Sequence, residues 1–243
     1  MNNKMKALII GGNGSLGKAF QSSLEKRNYE VCNTYHSNKI SENNSYSLDL
    51  DSSELEIDKS LEIIRNNFGV PDLLIIASGT ACYNPLNKTS NEDLNHTYNV
   101  DLIGPVRVIK YFLPYFLERK SGIIHVVSAI AGVMPAVKNM SIYTSAKFGL
   151  VGFVRSLATE LIGTGVKASV SCPGGIKTNL PDNAIGDKES LIKFFQQYGK
   201  SFHEPNEISE LILDKLDARE VLIFPTESAK KLFEDNLAKP FWT

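Results

Sequence analysis

Tyr143 and Lys147 stand four residues apart in Tyr143-Thr144-Ser145-Ala146-Lys147. On a helix that spacing puts both side chains on one face, a turn from each other. An ammonium beside a phenol favours the phenolate and lowers the Tyr pKa. Tyr143 can then give and take a proton near neutral pH. The same spacing also occurs on solvated helix faces, so the pair gains meaning from what accompanies it.

The companion signal lies near the start of the chain. Lys6-Ala7-Leu8-Ile9-Ile10 is an apolar run long enough for a buried strand, and it leads into Gly11-Gly12-Asn13-Gly14-Ser15-Leu16-Gly17 and an amphipathic helix. Strand, glycine turn and helix in that order form the setting of a dinucleotide fingerprint rather than of a merely flexible turn. Gly11 would allow the tight turn, Gly14 the approach of backbone to a pyrophosphate, and Gly17 close helix–strand contact. The helix N-terminus would offer free N–H groups and a positive dipole end to phosphate.

These residues need a frame, and the chain supplies one. Strand-like runs at 7–10, 29–35, 45–50, 73–77, 123–128, 167–172 and 221–225 alternate with helical periodicity at 15–27, 55–68, 91–119, 141–161, 188–198, 208–216 and 228–237. The stretch from Tyr35 to Ser45 is the one connection without a clear helix. Such alternation predicts an α/β, doubly wound Rossmann fold: one parallel sheet of about seven strands, helices on both faces, and ligands at the carboxyl ends of the strands. With 243 residues, one domain over 1–243 is expected.

Composition narrows the function classes. A net charge of −1 gives no electrostatic reason to expect nucleic acid or an anionic membrane. No apolar run approaches a transmembrane length, and the four apolar residues before Gly11 are too few for a secretory signal. Cys32, Cys82 and Cys172 lack metal spacing and read as reduced thiols of a cytoplasmic protein. The four histidines are scattered, and His125 in an apolar run reads as a satisfied core or edge residue. No metal site is expected.

Taken in order along the chain, these motifs resemble the short-chain dehydrogenase/reductase family over nearly the whole length. Gly11-x-x-x-Ser15-x-Gly17 is similar to its glycine turn, and Asp49-Leu50 falls where the family contacts adenine. Val100-Asp101-Leu102-Ile103-Gly104 stands where the family has hydrophobic-Asn-hydrophobic-x-Gly. Gly122 to Ala129 aligns with the strand ending in the catalytic Ser, and Tyr143/Lys147 with the active-site pair. The run from Val166 to Thr178 resembles the segment passing the nicotinamide. The resemblance implies cofactor contacts from Gly11, Asn13, Gly14, Ser15, Leu16 and Gly17, from His36, Ser37, Asp49 and Leu50, and from Ala77, Ser78 and Gly79. It implies further contacts from Tyr143, Lys147, Pro173, Gly174, Ile176 and Thr178, with Ile176 at the carboxamide. Tyr143 would exchange the proton and Lys147 would hold the nicotinamide ribose.

The departures bear on function. Ile10 replaces the usual Thr, Ile76-Ala77-Ser78-Gly79 replaces Asn-Asn-Ala-Gly, and Asp101 stands at the catalytic Asn position. The catalytic Ser position aligns with Ala129, and Ser128 lies one residue earlier. Ser128 either slips into the role or is a strand-end hydroxyl satisfied by backbone; Ser141 is a second candidate. Asp101 could order a water for proton relay, while its charge would push the Tyr pKa back up. After the second strand, His36, Ser37 and Lys39 stand without an Asp or Glu, which favours NADP(H) over NAD(H) unless that loop is simply solvated.

The substrate segment, about 179–203, carries Leu191, Phe194, Phe195 and Tyr198, either a lid over an apolar substrate or ordinary packing. The expected function is an NADP(H)-dependent oxidoreductase of a small carbonyl or alcohol. The alternative is a non-catalytic dinucleotide-binding sensor or partner protein on the same fold. The chain lacks the Gly-rich tail of tetrameric members, so a tetramer is not expected and a homodimer stays open.

Overall fold

The computed structural model describes residues 4–36, 44–134, 138–217 and 220–237. Strands β1 (Lys6–Ile10), β2 (Glu30–Tyr35), β3 (Ser45–Ser47) and β4 (Leu73–Ile76) alternate with helices α1 (Ser15–Lys26) and α2 (Glu54–Phe68). Then follow β5 (Cys82–Tyr83), α3 (Asn91–Tyr98), α4 (Gly104–Arg119), β6 (Gly122–Val127), α5 (Ser141–Glu160) and β7 (Val166–Ser171). The chain continues through β8 (Ile185–Gly186), α6 (Lys188–Tyr198), α7 (Pro205–Asp217), β9 (Leu222–Ile223) and α8 (Glu227–Leu237).

Seven strands form one sheet in the order β3-β2-β1-β4-β6-β7-β9, and every pairing is parallel. Parallel strands need crossovers, and the helices supply them on both faces. The period-two alternation of the strands shows how both faces are filled. Leu8, Ile10, Leu74, Ile76, Ile124 and Val126 pack with Ile57, Phe112, Phe116 and Leu150 on one face. Ala7, Ile9, Leu73, Ile75 and Val127 pack with Phe20, Leu24, Ile208 and Ile212 on the other. The winding reverses between β1 and β4, so a crevice opens beyond their carboxyl ends.

Three differences from the sequence expectation bear on the site. The third strand ends at Ser47, because Asp49 turns the chain: its side chain accepts from the Asp51 N–H at 2.9 Å and its carbonyl from the Ser52 hydroxyl at 2.7 Å. The helix expected over 91–119 is interrupted by a π-helical turn, Asn99–Ile103, which carries Asp101. A second, two-stranded parallel sheet joins β5 to β8, with Ile185 N–H donating to the Ala81 carbonyl and Asp187 N–H to that of Tyr83, both at 2.8 Å. It ties the segment after Thr178 to the loop after β4. The far end of that segment is tied too: Ile176 bridges His203 in parallel, with Lys177 N–H to the His203 carbonyl and His203 N–H to the Gly175 carbonyl, each 3.0 Å.

Candidate active site

The glycine turn leaves β1 at Gly11, whose φ of +82° lies in the left-handed region that favours glycine. A Cβ there would come within 2.7 Å of Ser78 backbone atoms, so β1 and the loop after β4 approach as closely as glycine allows. At Gly17 a Cβ would collide with the Gly11 carbonyl, which fixes the contact between α1 and the turn. Gly14 differs. Its Cβ would meet only the Gly11 carbonyl at 3.4 Å, so its face is open. Gly14 is the N-cap of α1, without a side-chain cap and without an acidic residue in the first turn. A helix start with an open glycine face and no side chain of its N-cap over it suits an anion.

Other expected cofactor residues gather around this crevice. Asn13 and Ser15 are half-buried in the turn, while the Leu16 side chain is buried in the core beneath it. The Ser15 hydroxyl donates to Asn179 Oδ1 at 2.9 Å and accepts from the Asn179 N–H at 3.2 Å, tying the turn to the substrate segment. Ala77 and Ser78 line the end of β4, and the buried Ser78 hydroxyl has no protein partner. Leu50 is buried in the core. His36 is exposed at the end of β2, its Nε2 3.6 Å from Asp49 Oδ2; Ser37 and Lys39 lie outside the described residues. Pro173 accepts at its carbonyl from the Ile130 N–H, Gly174 follows half-buried, Ile176 packs against the core near α7, and Thr178 Oγ1 accepts from the Leu180 N–H at 3.3 Å.

At the other end of the crevice α5 presents Tyr143 and Lys147, both buried, on one face as the spacing predicts. Lys147 Nζ lies 5.6 Å from the centre of the Tyr143 ring and 3.1 Å from Asp101 Oδ1. The same Oδ1 accepts from the Thr80 N–H at 3.0 Å, while the buried Oδ2 has no protein partner. A Cβ on Gly79 would stand 3.1 Å from Asp101 Oδ1 and 3.2 Å from Lys147 Nζ. Any side chain at position 79 would therefore crowd the ion pair.

Burial governs the ionisation here. It raises the Tyr143 pKa, and the Asp101 charge and Cys172 push the same way. The lowering expected from a neighbouring ammonium does not prevail against this burial. Asp101 is itself raised, by burial first, against the opposing pull of Lys147 and the Thr80 N–H. A buried pair of this kind holds its geometry but contributes little net stability, since desolvation offsets attraction.

Ser128 and Ala129 end β6 facing different ways. The buried Ser128 hydroxyl donates to the Lys147 carbonyl at 3.1 Å and lies against Gly132. Ala129 is half-buried and packs against the cluster that contains Tyr143, Met140 and Leu191. Ala129 thus brings a methyl to this cluster, and the hydroxyl one position earlier is bonded to helix backbone. Ser141 is exposed at the start of α5.

Two contributors were not picked out from sequence. Thr34 Oγ1 accepts the Gly11 N–H at 3.0 Å, a hydroxyl from β2 serving the turn where Ile10 has none. A polar pair, Asn33-Thr34, inside a buried strand was the available signal. Thr80, whose N–H holds Asp101, acts through backbone and carried no signal. Among the described residues no group of three or more His, Cys, Asp or Glu side chains is placed to hold a metal. The three cysteines are buried and unpaired, and burial first pushes Cys32 and Cys172 up to about 12.

Known proteins resemble the chain in sequence or in fold. The chain is 28% identical over 218 residues to carbonyl reductase family member 4 of Xenopus tropicalis, covering 86% of this chain and 90% of that protein. It is 32% identical over 221 residues to a 3-oxoacyl-acyl-carrier-protein reductase of Buchnera aphidicola, covering 86% and 89%. A short chain dehydrogenase/reductase from Burkholderia phymatum in complex with NAD superposes with a TM-score of 0.83 at 16% identity over 96% of this chain and 92% of that one. ElxO with NADP bound superposes with a TM-score of 0.76 at 22% identity, over 94% and 100%. At such identities the two structures establish the fold alone. The family model for short chain dehydrogenases matches residues 5–189, a span that holds the glycine turn, Asp101, Tyr143 and Lys147, and the chain belongs to that family.

Proposed function

We propose that this protein is an NADP(H)-dependent oxidoreductase that interconverts a small carbonyl compound and its alcohol, with Tyr143 as proton donor and acceptor. The observation that carries this reading is the convergence of Tyr143, Lys147 and Asp101 beside Gly79, at the carboxyl end of β4 in the crevice where the winding reverses.

The residues fit a dinucleotide. The open Gly14 face and the uncapped start of α1 suit a pyrophosphate, and Ser78 offers a hydroxyl without a protein partner. When bound, a nicotinamide supplies or accepts the hydride. Tyr143 then gives a proton to the carbonyl oxygen or withdraws one from the alcohol. Its burial keeps the phenol protonated, the form that reduction requires. Lys147, 3.1 Å from Asp101, would hold the ribose hydroxyls. No hydroxyl stands at Ala129 to steady the developing oxyanion. Losing one such donor costs on the order of 10²–10³ in rate unless another group replaces it.

The absence of an Asp or Glu directly after β2 supports NADP(H), with His36 at the ribose end. Relatives by fold carry either cofactor. Calorimetric titration with NADPH and NADH tests the preference. Equal affinities or tighter NADH would overturn it. A screen of carbonyl compounds followed by NADPH absorbance tests the activity.

A second reading has its own observation. Ala129 lacks the hydroxyl, Asp101 holds Lys147, and Tyr143 is pushed away from ionisation. A dinucleotide-binding sensor needs nothing more than this. An inert parent that gains turnover when Ala129→Ser and Asp101→Asn are combined would favour that reading.

A further inference from the structure

The π-helical turn that carries Asp101 is fastened from outside at its first residue. Asn99 opens the turn, and its Nδ2 donates to Asp51 Oδ1 at 2.7 Å. The other oxygen, Asp51 Oδ2, accepts from His96 Nδ1 on α3 at 2.7 Å. One carboxylate in the loop after β3 therefore bonds both the last turn of α3 and the start of the π-helical turn. Burial works against its ionisation, yet the hydrogen bonds from Asn99 and His96 prevail and hold its carboxyl below the usual range. At the far end of the turn the Gly104 N–H closes on the Asn99 carbonyl. A Cβ on Gly104 would stand 2.7 Å from that carbonyl and 2.7 Å from Leu50 Cβ. Residues 50 and 51 thus lie against the two ends of the turn.

Such a turn needs support, because π-helical geometry is rare and persists where its surroundings determine it. The grip is separate from the anchoring of α4, which has bonds of its own. Arg107 Nη1 donates to the Ser52 carbonyl at 3.4 Å, and Lys110 Nζ to Glu54 at 3.0 Å. Asp51 holds the turn itself, two residues before Asp101. Asp101 Oδ1 in turn accepts from both Lys147 Nζ and the Thr80 N–H, at 3.1 and 3.0 Å. With one oxygen serving two donors, a small rotation of the turn would part it from one or the other.

We infer that Asp51 is a positioning residue: by holding Asn99 it fixes the π-helical turn and so sets Asp101 against Lys147 and the Thr80 N–H. Its consequence for turnover rests on the oxidoreductase reading, whereas the placement of Asp101 does not.

Hydrogen exchange at the Thr80 amide reads the placement with no turnover required. Asp51→Ala removes both bonds. Exchange at Thr80 and Gly104 should quicken by about ten-fold or more beyond any change at Leu74 and Ile75 in β4, as the loss of a hydrogen bond to a charged group predicts. Asp51→Asn should restore slow exchange, since its amide can accept from Asn99 and donate to the His96 ring. Asn99→Ala removes the central bond from the side of the turn and should give the same selective pattern. A Thr80 amide unmoved in the folded variants would overturn the inference. So would equal quickening at Thr80, Leu74 and Ile75, which would mark a purely structural role.

Turnover separates the two claims. It is measured with saturating NADPH on the best ketone of the carbonyl screen, acetophenone and cyclohexanone included. Asp51→Ala should lower kcat by about ten-fold or more in the parent. It should lower it no further where Asp101→Ala is already present, because the route through Asp101 is then gone. Losses that multiply would overturn the positioning role. A Thr80 amide that responds as expected, in a protein inert across the whole screen with NADPH and NADH, would overturn the oxidoreductase reading and leave the placement standing.

Discussion

The glycine turn and the tetrad of positions Asp101, Ala129, Tyr143 and Lys147 occupy opposite ends of one crevice and are held by opposite means. The turn is made of backbone: a left-handed Gly11, a close Gly17, an open Gly14, with a hydroxyl from Thr34 standing in for one missing at Ile10. The tetrad end is made of buried side chains: Tyr143, Lys147 and Asp101, with one carboxylate oxygen left unpartnered. A backbone site survives drift in its neighbours, because any hydroxyl in reach can restore a hydrogen bond. A side-chain site does not, because each substitution changes a charge or removes a donor. That asymmetry explains why the departures at the turn leave its geometry intact, whereas those at the tetrad alter its electrostatics.

The contrast can be broken most severely at Tyr143. Tyr143→Phe removes the hydroxyl alone, so turnover should fall by about 10²–10⁴ while cofactor affinity by calorimetry stays at the parent value. Turnover untouched by this change would remove Tyr143 from the mechanism.

Lys147→Ala should be next. It strands the Asp101 carboxylate without its partner in a fully buried position, and destabilisation of about 3–5 kcal/mol in urea unfolding is expected. Lys147→Ala combined with Asp101→Leu should recover part of that loss, since the stranded charge goes with it. No recovery would mean that the pair is not the source.

At the backbone end, Gly14→Val should leave thermal stability near the parent's, because its Cβ has room, yet abolish stabilisation by NADPH. A bound cofactor at 100 times Kd gives about 2.7 kcal/mol, so its loss is easily read in a melting curve. A variant that NADPH still protects would separate the turn from the phosphates.

His125 sharpens the comparison from outside the crevice. It is fully buried between the Ser169 and Ser171 hydroxyls, at 2.9 and 3.0 Å, and burial holds its pKa down to about 3. Unfolded, the imidazole titrates near 6.5, so between pH 6.5 and 3 the unfolded chain binds the extra proton. Stability should therefore be unaffected by this group above pH 6.5. Below that it should fall as pH drops, with a limiting slope of about 1.4 kcal/mol per pH unit. His125→Gln should flatten that slope in urea unfolding series; an unchanged slope would assign the acid sensitivity to other groups.

The smallest effect is expected from repairing the tetrad. Asp101→Asn removes the charge that helps raise Tyr143, so the Tyr pKa should fall and the basic arm of alcohol oxidation should move to lower pH. Ala129→Ser adds the absent donor and should raise turnover by about ten-fold or more, short of the full oxyanion term. The two sites are close, so the double variant is compared with each single one.

How much of this was legible in the sequence follows the same division. The parallel sheet could be read because Leu8-Ile9-Ile10 and Leu73-Leu74-Ile75-Ile76 are apolar on both faces, which only a doubly covered strand permits. The glycine turn could be read because each glycine does a backbone job that no other residue can. The orientation of Ser128 against Ala129 could not, because one residue of register at a strand end exchanges the two faces. The π-helical turn that carries the buried Asp101 also stayed hidden, because no periodicity announces such a turn. Strands β5 and β8, two residues each, are too short to leave a pattern.

The double anchoring of the segment after Thr178 has an engineering consequence. Its ends are fastened by main-chain pairing, at Ile176 with His203 and at β5 with β8, while within it Leu191 is buried in the cluster that holds Tyr143. Residues 188–198 thus form an exchangeable cassette. Grafting a different eleven-residue amphipathic helix that keeps the buried leucine between those clasps should leave the melting temperature within about 4–8 °C of the parent's, the shift that roughly 2 kcal/mol gives in a chain of this size.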